Sequence, residues 1–409
     1  MKALLRNKKI ILLFFGLIVL IQYLILGGSA LMRLTGWPSQ ELTVNYSFGF
    51  IRRGFIGSFI TLISRLFPID IHTIIVFTQL FGTIVFVGLL FFFFFYVMKK
   101  NDNASTIQII LLFLAMGSMG FYFADWGEMD IFMLSISLVS CLLIIKDKFI
   151  WLVPLLTAVC VMIHEGYVFM YFGIIVALLL YRAAMETNLE KKKKYWLCLF
   201  STGFLAASLF IYFYFFSVSI SKNHIDEIIA NAEHILNSQV YTNNLKYIYE
   251  GNTLPNSPMW VNRAPTHEFF IRMFAVMMNT LVCLPVISIL NDFWKMVMKN
   301  TTDKKRRRLI ALCLSCQMFT IPLVLMQTDQ SRWFYDIVFF NFLFITSVLC
   351  IGSKEFSSAA ETHMKPTIGK VILIAFYLVF FSNPNLQLIS QHYQTAARIT
   401  QEILSFLPT

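Results

Sequence analysis

Residues 149–182 read FIWLVPLLTAVCVMIHEGYVFMYFGIIVALLLYR, thirty-four residues whose apolar run breaks at His164-Glu165-Gly166. A membrane-crossing helix needs roughly 20 apolar residues, so the run is too long for one helix and suits two short ones. It predicts a helical hairpin folded at a polar tip, with limbs at about 149–163 and 167–182. His164 and Glu165 then stand where the helices meet water. An ionisable pair in that setting is costly to keep and marks a functional site by default. The alternative is a capped turn whose His and Glu only solvate the tip.

The rest of the chain has the same character. Of 409 residues, 58% are hydrophobic and 13% charged, against about 25% charged in soluble domains. The fold class is therefore all-α, a polytopic integral membrane protein in contact with the lipid bilayer. The 43 phenylalanines supply lipid-facing and helix-packing surface, and Phe91 to Phe95 reads as packing at the end of a span. The seven cysteines all fall in apolar runs and none in the polar loops, so no disulfide framework is expected. Cys313 and Cys316 have CxxC spacing without a second pair, and read as small buried hydrophobes rather than a metal site. The net charge of +11 does not point to nucleic acid, because the basic residues form short runs between apolar segments, where they act as topology signals.

Working outward from the hairpin, spans are expected at about 10–28, 71–98, 105–124, 130–146, 149–163, 167–182, 195–219, 268–294, 309–327, 334–352 and 370–382, eleven in all. The first exceeds the apolar core of a secretory signal and reads as a retained helix. With the Lys/Arg-rich connections inside, twenty-three of the 33 basic residues fall on the cytoplasmic side together with the N-terminus. This is the pattern of a multi-pass membrane protein.

On the outer side three segments are long. Residues 29–70 form a first outer loop in which Gly54 to Phe67 is apolar but short, as in a re-entrant or interfacial helix. Residues 223–268 begin with Ile225, Ile228, Ile229, Ala232, Ile235 and Leu236 at helical spacing, which predicts an amphipathic helix on the membrane surface before a proline-rich loop. Residues 383–409 repeat the pattern as an outer tail. No glycine-rich phosphate loop occurs, and the cytoplasmic connections are too short for a nucleotide-binding domain. No cofactor is expected, and any activated group must come from elsewhere.

Four polar motifs fall on the outer side of this topology: Arg52-Arg53, the stretch from Asp125 through Glu128 to Asp130, His164-Glu165, and Asp329-Gln-Ser-Arg332-Trp333 continuing to Asp336. Each has a plainer explanation. Asp329, Arg332 and Asp336 have the spacing of pairs along one helix, the arginine pair could anchor headgroups, and Asp125 and Glu128 lack the third fixed ligand a cation would want. Taken together they suit group transfer to or from a lipid-linked phosphate. Arginine forks match phosphate oxygens, a histidine or carboxylate takes a proton from an attacking hydroxyl, and Trp333 offers a face for a sugar ring.

This arrangement resembles the polytopic, lipid-phosphate-dependent glycosyltransferases of the GT-C superfamily, and among them looks most like the O-antigen and capsule repeat-unit polymerases and the O-antigen ligases. The likeness is architectural and spans the chain: about eleven spans, outward-facing arginines and histidine, and a long outer loop carrying a helix. The stretches NYSFGFIRRGFIG (45–57), DWGEMD (125–130), HEG (164–166) and DQSRW (329–333) are also similar to those of other bacterial membrane proteins. The chain departs from the metal-dependent branch of the superfamily, which carries acidic residues in the first outer loop; here Glu41 is the one acid between the first span and Asp70. It also departs in its termini, because eleven spans put the C-terminus outside.

The resemblance implies an enzyme that transfers a glycan from a polyprenyl-diphosphate-linked oligosaccharide during surface polysaccharide assembly, alongside other assembly proteins. Arg52, Arg53, Arg332, Trp333 and Asp329 would bind the donor. His164 or Glu165 would serve as base, Asp125 and Glu128 would orient the acceptor, and no metal would be held. Two other classes stay open: a transporter or flippase of lipid-linked glycans or an ion, and an acyl or phosphoryl-group transferase acting on glycans.

Overall fold

The computed structural model of the chain describes residues 37–115, 129–236, 242–249, 265–326 and 330–382, and among them there is no strand. In chain order the helices are α1 (Trp37–Thr43), α2 (Gly54–Leu66), α3 (Ile71–Lys100), α4 (Ala104–Ala115), α5 (Met129–Lys146), α6 (Leu152–Ile163), α7 (Tyr167–Met170), α8 (Phe172–Met185) and α9 (Leu189–Ile211). They continue with α10 (Ser217–Asn223), α11 (Ile225–Leu236), α12 (Thr242–Tyr249), α13 (Pro265–Asn300), α14 (Lys304–Ser315), α15 (Ile321–Met326), α16 (Gln330–Ile351), α17 (Lys354–His363) and α18 (Ile368–Ser382).

Among the described residues, four helical stretches are long and apolar enough to cross a membrane: Ile71–Lys100, Met129–Lys146, Leu189–Asn223 and Thr280–Asn300. The 30 residues of α3 rise about 45 Å, more than the roughly 30 Å of a hydrocarbon core. Several shorter apolar helices, α2, α4, α6 and α8 among them, stand beside these four. The first expected span (10–28) and the outer tail (383–409) lie outside the described residues.

The chain divides into two compact units, one drawn from Gly27–Phe93 and Tyr122–Asn256, the other from Met1–Leu26, Phe94–Phe121 and Ser257–Thr409. In the first, the expected hairpin is present: α6 runs to the turn at His164–Gly166, and α7 with α8 runs back. Each limb packs on α5 and on α9, so the limbs stand at opposite corners of a four-helix bundle. Its core is apolar with a few hydroxyls, Tyr167 lying fully buried with its hydroxyl 3.5 Å from Ser137 Oγ. The returning limb is fixed at its foot by Arg182, which donates to the Ile144 and Ile145 carbonyls at the C-terminus of α5. Those carbonyls have no partner within the helix, and a cation there also complements the helix dipole. Asn188 caps α9 by accepting from the Lys191 amide at 3.1 Å.

Against the tip of this bundle lies the loop from α1 to α2. The two elements approach backbone to backbone. A Cβ on Gly57 would stand 1.9 Å from the Val44 carbonyl oxygen and 2.8 Å from that of Leu42, so only glycine admits the contact. The Tyr46 amide donates to Ser58 Oγ at 2.8 Å and ties the loop to the first turns of α2. The expected amphipathic helix appears as α11, with Ile225, Ile228, Ala232 and Leu236 buried. That face is taken up by the protein itself, against α1 and α12, and Asn231 Nδ2 donates to the Thr43 carbonyl at 3.2 Å.

In the second unit α13 packs on α16 and α17, and α4 on α16 and α18. Trp294 Nε1 donates to Asn341 Oδ1 at 2.8 Å, and Asn341 Nδ2 donates to Gln317 Oε1 at 2.7 Å, so the buried amide is satisfied on both sides. All seven cysteines are free, and six are buried.

Candidate functional site

The turn before α2 bends sharply. Arg53 adopts the left-handed backbone conformation, with φ of 61° and ψ of 8°, a region that residues other than glycine rarely visit. Arg52 and Arg53 are thereby turned into the protein beside the hairpin tip. The Arg53 fork meets Glu165 twice, Nη2 to Oε1 at 3.1 Å and Nε to Oε2 at 3.3 Å, while its Nη1 donates to Glu41 Oε1. Such two-pronged contact is the strongest form of an arginine–carboxylate pair. Arg52 Nη1 stands 3.7 Å from Glu165 Oε1. Two guanidinium groups and two carboxylates therefore share one buried cluster of zero net charge, in which Glu41, Arg52 and Glu165 are 5%, 8% and 7% exposed.

Burial alone would raise the Glu165 carboxyl and lower the Arg53 guanidinium. In Glu165 the charges of Arg53 and Arg52 outweigh burial, and its carboxyl is held well below the usual carboxylate range. In Arg53 the two carboxylates likewise win, and its pKa is raised. Arg52 has only the longer contact; burial prevails there and its pKa is lowered. As placed, Glu165 is a fixed anion and a weak proton acceptor.

His164 presents a different face. Its Nδ1 accepts a hydrogen bond from the Gly166 amide at 2.8 Å, so the neutral ring carries its proton on Nε2. In this tautomer Nε2 is a donor. A Cβ on Gly166 would fall 2.9 Å from the His164 ring, so the close approach of backbone and imidazole depends on the glycine. The adjacent His164 and Glu165 thus make different contacts, Glu165 anchoring the arginines and His164 tied to the Gly166 amide.

Glu41 and Tyr249 complete the cluster, and the sequence assigns neither a role. Glu41 is the lone acid of its loop; its side chain lies 12 positions before Arg53 across an irregular turn, where no helical spacing announces the pair. Tyr249 ends the short polar helix α12 and is fully buried. Its carbonyl accepts from Ser221 Oγ at 2.6 Å, and its ring lies within electrostatic reach of Arg53, Glu41, Arg52 and Glu165. Among the described residues, the Tyr249 hydroxyl and Arg52 Nε are buried without a hydrogen-bond partner.

Of the four expected motifs, the structure brings together Arg52-Arg53 and His164-Glu165. Asp125 and Glu128 lie outside the described residues, as does Asp329. Arg332 and Trp333 fall in the first turn of α16, in the second unit. No protein-family model, curated protein or solved structure matches this chain.

Proposed function

We propose that this protein transfers a glycan from a polyprenyl-diphosphate-linked donor to an acceptor sugar on the outer face of a bacterial cytoplasmic membrane, as a step in surface polysaccharide assembly. The observation that carries this reading is the buried arginine–carboxylate cluster joining residues 41, 52–53 and 165. A chain this apolar buries four formal charges at great cost unless they serve a site, and arginines suit phosphate oxygens better than lysines do. With the N-terminus cytoplasmic and about eleven spans, the cluster faces outward, where a lipid-linked donor would present its diphosphate. Glu165 and Glu41 fix the shape of the arginine turn, Arg52 meets the diphosphate, and His164 stands beside them at the hairpin tip. By sequence, Arg332, Trp333 and Asp329 are assigned to the donor and Asp125 and Glu128 to the attacking hydroxyl.

The test is made in cells. Arg52→Lys and Arg332→Lys keep charge but lose the planar fork, so each should abolish polymeric surface glycan while the protein reaches the membrane at normal levels. Lipid-linked repeat units should then accumulate, open to an added glycosidase from outside the membrane. Accumulation on the inner side alone would replace this reading with transport, and normal polymer in both variants would remove the arginines from the chemistry.

A further inference from the structure

The two adjacent arginines are chemically unequal, although the sequence presents them as a pair. Arg53 spends its fork on Glu165 and another N–H on Glu41. Arg52 is 8% exposed, has one ionic contact at 3.7 Å, and keeps a buried Nε–H that donates to nothing among the described residues. Tyr249 is fully buried and is held to α10 through its own carbonyl, which leaves the hydroxyl uncommitted. Leaving a buried donor without an acceptor costs the whole desolvation of that group, and the two donors belong to one cluster. Arginine cannot accept a hydrogen bond, so a metal ion is excluded as the shared partner. Both orphan groups are donors, so the missing partner is a group rich in acceptors.

We propose that Arg52 and Tyr249 form an oxyanion seat for one phosphate group of the ligand, with Arg53 as the positioning residue that holds the turn. This rests on the reading above that the site handles a lipid-linked phosphate, and it assigns that group to two named side chains. Arg52 supplies the charge and Tyr249 a neutral O–H whose direction is fixed by α12. The seat takes a phosphate oxygen whether the group ends in a prenyl chain or is free in solution, and the experiment separates the two.

The full chain in lipid nanodiscs is titrated with polyprenyl diphosphate and, separately, with inorganic pyrophosphate. Tyr249→Phe keeps the ring and removes only the hydroxyl, and should weaken binding of the lipid probe about tenfold to a hundredfold, the scale of a hydrogen bond to a charged group. Arg52→Lys should weaken it at least as much, while Asp147→Asn, far along the sequence at another turn, binds as wild type. Wild-type affinity in folded Tyr249→Phe and Arg52→Lys overturns the seat, and so does failure of the wild type to bind either probe. Lipid binding that ignores both substitutions removes the seat and leaves the lipid-phosphate reading standing. Pyrophosphate binding as tightly as the lipid, with dependence on both residues, keeps the seat and removes the lipid-linked donor.

Discussion

At the foot of α6, Asp147 takes Lys191 at 2.9 Å and Lys194 at 3.8 Å, with those side chains 20%, 53% and 46% exposed. At its other end Glu165 takes the Arg53 fork, and Arg53 takes Glu41, with side chains 9%, 14% and 6% exposed. The same ingredients, carboxylates and cations beside a turn, thus have opposite energetics. In the exposed cluster water stands ready to replace either partner, and such pairs contribute little. In the buried one each charge depends on its partners, because removing one strands the other in a medium that cannot solvate it. The first is a staple whose members are interchangeable; the second is an assembly that tolerates no single loss.

The largest effect should therefore come from Glu165→Gln, which leaves the Arg53 fork facing a neutral amide. Thermal or denaturant unfolding in detergent should show a loss of about 3–5 kcal/mol, and a loss no larger than that of Asp147→Asn would erase the distinction between the two ends. The same pair of proteins gives the pH dependence. Glu165 is held below its ordinary 4.5, so the folded state gains from the ionised form above that value. The gain is complete at neutral pH and is lost as pH falls below 4.5. Wild type should lose stability steeply on acidification through that range, and Glu165→Gln should do so less steeply.

Next in size is Gly57→Ala, whose new methyl meets the Val44 carbonyl oxygen head on. Overpacking of this kind costs about 1–3 kcal/mol, and here it should also part Glu41 from Arg53. A Glu41→Gln substitution that costs less stability on the Gly57→Ala background than on wild type would report that separation; an equal cost on both would show α2 docking by other contacts. The smallest effect belongs to Asp147→Asn. Its melting point should stay within the scatter of repeats, with any residual difference vanishing near 1 M salt, where screening reaches about 3 Å.

The contrast also explains what was legible in the sequence. Helices follow from apolar runs, and α3, α5 and the two limbs of the hairpin begin and end close to where the runs do, whereas α9 starts six residues before its expected span, ahead of the Lys191–Lys194 run. The tip at His164–Gly166 was legible because two ionisable residues break an otherwise apolar run. The partner set of Arg53 was not: Glu41 and Glu165 lie 12 and 112 positions away, and periodicity speaks only for neighbours on one helix. Residues 225–236 teach a related lesson. Their spacing shows that one face is covered but not by what, and α1 and α12 of the protein cover it where a membrane surface is the sequence expectation. The division of labour between Arg52 and Arg53 rests on the left-handed turn at residue 53, which side-chain types do not announce.

The spacing of the cluster along the chain also sets the order in which its members come into being. A ribosome makes Glu41 and then Arg53, but Glu165 follows Arg53 by 112 residues, roughly 6 to 22 seconds at about 5–20 residues per second. Through that interval the arginine turn has Glu41 as its one partner from the cluster. Burying a cation before its partner exists is costly, so the turn is held open until the second carboxylate is made. The hairpin tip, arriving last, brings the second anion and completes a neutral cluster of two arginines and two carboxylates.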